Sequence, residues 1–120
     1  MKKILIVEDN EDNMDLLESF LEDDFELLGA VNGEMALQMA INIEPDLILL
    51  DISLPVMDGT EVITEIRKNK QIMDIPIIAL TAHAMVGDKK RLMQFGFDDY
   101  LSKPILDDTK LIKMINNLMK

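Results

Sequence analysis

The sequence predicts a three-layer α/β domain, a parallel sheet covered by helices on both faces. Two observations carry that expectation. Short, unbroken runs of branched apolar residues recur along the chain, which is how strands buried on both faces read. Between them, apolar residues return every three or four positions, the period of a helix with one face on a core. The 120 residues, 48% of them hydrophobic, are one domain's worth of length, about 100–200 residues, with enough apolar material to pack it. Residues 1–120 therefore read as a single domain.

Each element follows from its local pattern. Ile4-Leu5-Ile6-Val7 is the first strand, and Met14, Leu17 and Leu21 share one face of the helix after it. Residues 25–31 form a weaker strand, a candidate for the sheet edge. Asn32 before Gly33-Glu34 has the character of an N-cap, and Leu37, Ala40 and Ile41 line its helix. Residues 46–50 and 75–80 are the other two strong apolar strands, separated by a helix carrying Ile63 and Ile66. Leu92 and Phe95 mark a fourth helix, with Gly96 where a left-handed stop would fall. Residues 99–102 form a short fifth strand, and Asp107 caps a last helix lined by Leu111, Met114, Ile115 and Leu118. Strand and helix alternate five times, which implies right-handed crossovers and a parallel sheet.

Composition excludes several classes of function. Twelve Lys+Arg against 23 Asp+Glu leave a net charge of −11, a field that repels nucleic-acid phosphates and anionic lipid. With no cysteine there can be no disulfide, thiolate metal site or thiol nucleophile. Four apolar residues after Met1-Lys2-Lys3 are too few for a signal-peptide core or a membrane span, so the expected location is cytoplasmic. The ten methionines are spread through helical and loop positions and read as adaptable core filler. Lys89-Lys90-Arg91 is the one basic run, ordinarily a solvated helix face, alternatively a dock for an acidic partner.

Ligands of such sheets bind beyond the carboxyl ends of the strands. There the sequence places Glu8 and Asp9, Asp51, Thr81 and Lys103. Carboxylates converging there repel by roughly 4 kcal/mol per pair at about 4 Å and an effective dielectric near 20, so the cluster calls for a cation. A few oxygen ligands at one rim suit Mg²⁺, which keeps some of its waters and is often completed by a phosphate. Lys103 adds an ammonium and Thr81 a hydroxyl for phosphoryl oxygens. A carboxylate held in line with a donor can form an acyl phosphate, and Asp51, ending the central apolar run, is the natural acceptor.

At these residues the chain resembles the receiver domain of two-component response regulators. Ile6-Val7-Glu8-Asp9-Asn10, Leu49-Leu50-Asp51-Ile52-Ser53-Leu54-Pro55-Val56-Met57-Asp58-Gly59, Ala79-Leu80-Thr81-Ala82-His83-Ala84 and Asp99-Tyr100-Leu101-Ser102-Lys103-Pro104 match in order over essentially the whole length. The resemblance implies a flavodoxin-like, doubly wound (βα)5 sheet of order 2-1-3-4-5. It implies that Asp51 accepts a phosphoryl group from a phosphohistidine, on a sensor histidine kinase or a histidine phosphotransfer protein. It implies Mg²⁺ bound by Asp9, Asp51 and the main-chain carbonyl of Ser53, with Glu8 acting through water, and Thr81 and Lys103 on the phosphoryl oxygens. It also implies a cis Lys103-Pro104 peptide, and a switch pairing Thr81 with rotation of Tyr100. That switch reshapes a target-binding face made by the fourth helix, fifth strand and fifth helix.

The sequence departs from the family's commonest pattern at the acidic pair, Glu8-Asp9 instead of two aspartates. The positions two after the acceptor and two after the threonine are Ser53 and His83, which in the family flank the path of the hydrolytic water and modulate phosphoryl lifetime. Alone, each residue has a plainer reading: Asp51 as a helix cap, Lys103 as a solvated loop residue, Thr81 as a strand residue. Tyr100 could simply pack at the core edge, and His83, the lone histidine, could start a helix. Four motifs in register outweigh those readings. The expectation is a stand-alone phospho-acceptor, not an enzyme in its own right, with protein binding as output; an alternative is a receiver excised from a hybrid kinase or transcription factor. Met1 directly before the first strand favours the former.

Two rivals come from other classes. A metal-dependent phosphohydrolase also passes through an aspartyl phosphate, but Asp51-Ile52-Ser53 lacks a second aspartate as acid/base. A flavodoxin-like electron carrier would need hydroxyls and amides for its flavin phosphate, where this chain has Glu8 and Asp9.

Overall fold

Ten elements alternate along the described part of the chain: β1 (Lys3–Val7), α1 (Glu11–Leu21), β2 (Glu26–Ala30), α2 (Gly33–Ile43), β3 (Leu47–Asp51), α3 (Gly59–Lys68), β4 (Ile77–Thr81), α4 (Asp88–Phe95), β5 (Asp99–Ser102) and α5 (Asp108–Leu118). They come from a computed structural model that describes residues 1–82 and 88–119, the side chain of Asp88 excepted. The strands form one sheet in the order β2-β1-β3-β4-β5, and every neighbouring pair is parallel. This is the doubly wound, flavodoxin-like order that the resemblance implied.

Parity along the strands builds two cores. Leu5, Val7, Ile48, Leu50, Ile77 and Ala79 face Ala36 and Ala40 of α2, Val62, Ile63 and Ile66 of α3, and Leu92 of α4. The alternate residues Ile4, Ile6, Leu47, Leu49, Ile78, Leu80 and Leu101 face Leu17 and Leu21 of α1 and Leu111 and Ile115 of α5. Both faces are dry, so the strands are apolar without alternation. Each fully buried Leu or Ile contributes about 1.5–3 kcal/mol. β2, expected at the edge, is hydrogen-bonded to β1 alone.

Strand ends differ from the apolar runs because the ladder, and not hydrophobicity, sets them. The Ile52 amide donates to the Leu80 carbonyl at 3.0 Å and the Lys103 amide to the Thr81 carbonyl at 2.7 Å. Asp51 and Thr81 therefore lie inside β3 and β4, where the sequence placed them just beyond. At the other end, Ile75 donates to the carbonyl of Ile72 in a turn and Phe25 to that of Leu21 in closing α1, so neither starts its strand.

Caps obey local chemistry. Asn32 Oδ1 accepts from the Met35 amide at 2.8 Å and Asp107 Oδ1 from the Thr109 amide at 2.9 Å, as expected. Asn10 and Asp58 cap α1 and α3 in the same way, and Gly96 adopts φ +107° after α4. At the sheet end far from the strand C-termini, Arg67 of α3 spends its guanidinium on Gly96 O, Met73 O, Ile75 O and Asp98 Oδ2. Asp98 Oδ2 in turn accepts the Ile77 amide at 2.8 Å. One side chain thus ties the α3–β4 connection to the α4–β5 connection. Among the described residues no helix is long and apolar enough to cross a membrane.

Candidate functional site

Register brings the site together. Val7 lies beside Leu50 and Asp51 beside Leu80, so β3 runs one residue past β1 and β4 one residue past β3, while β4 and β5 end level with Thr81 beside Ser102. Glu8 continues the ladder through its amide to Ala30 O at 3.0 Å. By parity Glu8 follows Ile6, Asp51 follows Leu49 and Lys103 follows Leu101, and all three project on the face covered by α1 and α5.

There they meet. Lys103 Nζ donates to Asp51 Oδ2 at 2.9 Å and lies 2.9 Å from Glu8 Oε2. Asp51 Oδ1 accepts the Ser53 amide at 2.9 Å. Glu8 Oε1 accepts from the Asn10 amide at 3.4 Å and from Asn13 Nδ2 at 3.3 Å. One oxygen of each carboxylate is thus held by local donors while the other faces a single ammonium. Glu8 is 1% exposed and Asp51 2%. Burial pushes the Glu8 carboxyl above its ordinary value, more than the Lys103 ammonium lowers it. Burial would depress Lys103, but its close pairing with the Glu8 and Asp51 carboxylates outweighs that and holds the ammonium above its usual range.

Asp9 completes the acidic group: oxygens of Glu8, Asp9 and Asp51 lie within 4.8 Å of one another. Three carboxylates beside one lysine leave uncompensated negative charge. Glu8 Oε2, though ion-paired, receives no directed hydrogen bond while fully buried. All donors are hard oxygens, so the residues fit a Mg²⁺ ion.

Thr81 and Tyr100 belong to the other face. Thr81 follows Ile77 and Ala79, Tyr100 lies beside Ala79, and the half-buried Tyr100 ring packs on the core under α2, α3 and α4. The expected cluster therefore has two halves, the carboxylates with Lys103 on one side of the strand ends and Thr81 with Tyr100 on the other. Ser53 is exposed, and the Lys103-Pro104 peptide is cis. His83 lies outside the described residues.

The loop after Asp51 fits against the site. A Cβ on Gly59 would come within 2.7 Å of Asp51 O and Ile52 Cα, so glycine is what lets α3 begin under the strand end. The Met57 amide donates to Pro55 O at 2.7 Å around Val56, which holds φ +65° and is 97% exposed. Sequence reasoning missed Asn13. Its signal was available in part, since Asn10 as an N-cap places position 13 in the first helical turn, facing back toward the strand it follows.

The family described as response regulator receiver domain matches residues 4–116. This chain belongs to that family. The receiver is 45% identical over 105 residues to the polar-differentiation response regulator DivK of Brucella anthropi, covering 87% of this chain and 85% of the relative. Its fold is similar to the receiver domain of a sensor histidine kinase from Pseudomonas aeruginosa PAO1, which has a magnesium ion coordinated in its active-site cleft. The TM-score is 0.90 at 35% identity, over 98% of this chain and 97% of that one. The chemotaxis protein CheY4 of Vibrio cholerae is similar at TM-score 0.90 and 28% identity, over 98% of both chains. The receiver is thus a two-component signalling domain that carries an acidic cluster, and one of its structural neighbours holds magnesium in its active-site cleft.

Proposed function

We propose that this receiver is a phospho-acceptor switch in which Asp51 takes a phosphoryl group from a phosphohistidine. The donor would be a sensor histidine kinase or a histidine phosphotransfer protein, and the switch would work in the cytoplasm. The observation that carries the reading is the buried Asp51 carboxylate held by Lys103 at 2.9 Å beside Glu8 and Asp9. Glu8, Asp9, Asp51 and the Ser53 carbonyl would hold Mg²⁺, which when bound offsets charge on the transferring oxygens.

A carboxylate oxygen of Asp51 attacks phosphorus while the donor's N–P bond breaks, and the imidazole nitrogen leaves with the electron pair. Lys103 already sits at the carboxylate edge, so its ammonium passes to a phosphoryl oxygen with little movement. Thr81, at the end of β4, offers its hydroxyl from the opposite face. Ser53 and His83 modulate how long the acyl phosphate lasts, and in this sense the domain assists its own phosphorylation and dephosphorylation.

Output follows from the same face as Thr81. Tyr100 rotates as Thr81 engages the phosphoryl group, biasing the α4, β5 and α5 surface toward a target protein. Such a bias exists only if the phosphoryl group interacts differently with two conformers. A groove of about 380 Å³ along β5 and the start of α5, walled by Tyr100, Leu106, Lys110 and Met114, suits a protein partner there.

Incubation with Mg²⁺ and acetyl phosphate, read by intact mass, tests the proposal. The wild type gains one phosphoryl group and Asp51→Asn gains none. Rapid multiple turnover of the donor would instead indicate a hydrolase, and equal labelling of the variant would remove Asp51 as acceptor.

A further inference from the structure

We infer that Asn13 is a positioning residue for Glu8, its side-chain amide acting with the Asn10 main-chain amide to hold one carboxylate oxygen and turn the other toward Asp51 and Lys103. In its bearing on Mg²⁺ the inference rests on the function proposed above.

A glutamate reaches one methylene further than an aspartate and has one more torsion to order. At a strand end beside Asp51, that freedom has to be restrained. The first turn of α1 supplies the restraint. Asn10 Oδ1 accepts the Asn13 amide at 2.9 Å, fixing the backbone of residue 13. The Asn10 amide and Asn13 Nδ2 then converge on Glu8 Oε1 at 3.4 and 3.3 Å. In an ordinary capping box the side chain at this helix position returns to the N-cap amide. Here it reaches past the cap to the buried carboxylate. The consequence is an Oε2 atom with no directed hydrogen bond, aimed into the group formed with Asp9 and Asp51, where a cation gains most from it.

Helix preference does not account for Asn13, since alanine favours a helix interior more than asparagine does. A brace also matches the length of its partner. An aspartate at position 8 would withdraw its carboxylate from Asn13 and make the amide redundant.

Calorimetric titration with Mg²⁺ of the wild type, Asn13→Ala, Glu8→Asp and the double variant tests the brace. Asn13→Ala is expected to weaken Mg²⁺ binding about tenfold. In the Glu8→Asp background the same change alters affinity less than about twofold, because the two sites act as a unit. In metal-free protein the side-chain amide NMR signals of Asn13 shift on Glu8→Asp. Wild-type affinity in Asn13→Ala, equal losses in both backgrounds, or unmoved amide signals would each overturn the inference. A wild type that takes up no Mg²⁺ overturns the cation reading of the proposed function and the affinity role of Asn13 together, while the amide signals still decide whether the brace exists.

Discussion

Lys103 donates to Asp51 at 2.9 Å across a sequence separation of 52 residues, and the same ammonium stands 2.9 Å from Glu8. Among the described residues it is the cation set into the acidic cluster. Removing it leaves two buried carboxylates facing each other. Lys103→Ala is therefore expected to destabilise the protein by about 2–4 kcal/mol in chelator, measured by urea unfolding, with part of the loss recovered in Mg²⁺. Equal stability of variant and wild type in chelator would contradict the pairing.

Gly59 couples the α3 start to the acceptor backbone. A methyl group there meets Asp51 O and Ile52 Cα at 2.7 Å, and neither is the end of a flexible side chain. Gly59→Ala should lower stability by about 1–3 kcal/mol and slow phosphoryl gain from acetyl phosphate, because the strand end itself must shift. A variant with wild-type labelling and wild-type unfolding would show that α3 yields instead.

Arg67 fills three carbonyls and one carboxylate from a single guanidinium. Arg67→Ala leaves those carbonyls short of donors, and a loss of about 2–4 kcal/mol is expected in denaturant unfolding. Arg67→Lys should recover less than half of it, since an ammonium offers three donors without the planar fork. Full recovery by lysine would reduce the contact to simple charge.

Asp58 caps α3, and its carboxyl lies below the ordinary value of 3.8: burial would raise it, but the Thr60 hydroxyl and the Glu61 and Thr60 amides outweigh that. The folded state thus favours the ionised form more than the unfolded chain does. Its stabilisation is complete above pH 3.8 and is lost as pH falls through the lower folded value. Asp58→Asn keeps a capping oxygen but cannot titrate, so its stability should fall less steeply from pH 5 to pH 2. Asp58→Ala should lose about 1 kcal/mol at neutral pH. Parallel acid profiles for wild type and Asp58→Asn would rule the cap out as the titrating group.

Local sequence determined the alternation of strand and helix, because apolar runs such as Ile4 to Val7 and helical spacings such as Leu111 to Ile115 register burial one residue at a time. It also named Glu8, Asp9, Asp51, Thr81 and Lys103, since a polar residue ending an apolar run marks a strand terminus. Tertiary structure decided what those residues touch. Strand order and register, which no local period encodes, set Lys103 between Glu8 and Asp51 and put Thr81 with Tyr100 on the opposite face. The same holds for Arg67 across two loops. A hydrogen bond between distant segments depends on how ends are stepped and which face each side chain takes, and both exist only once the sheet is assembled.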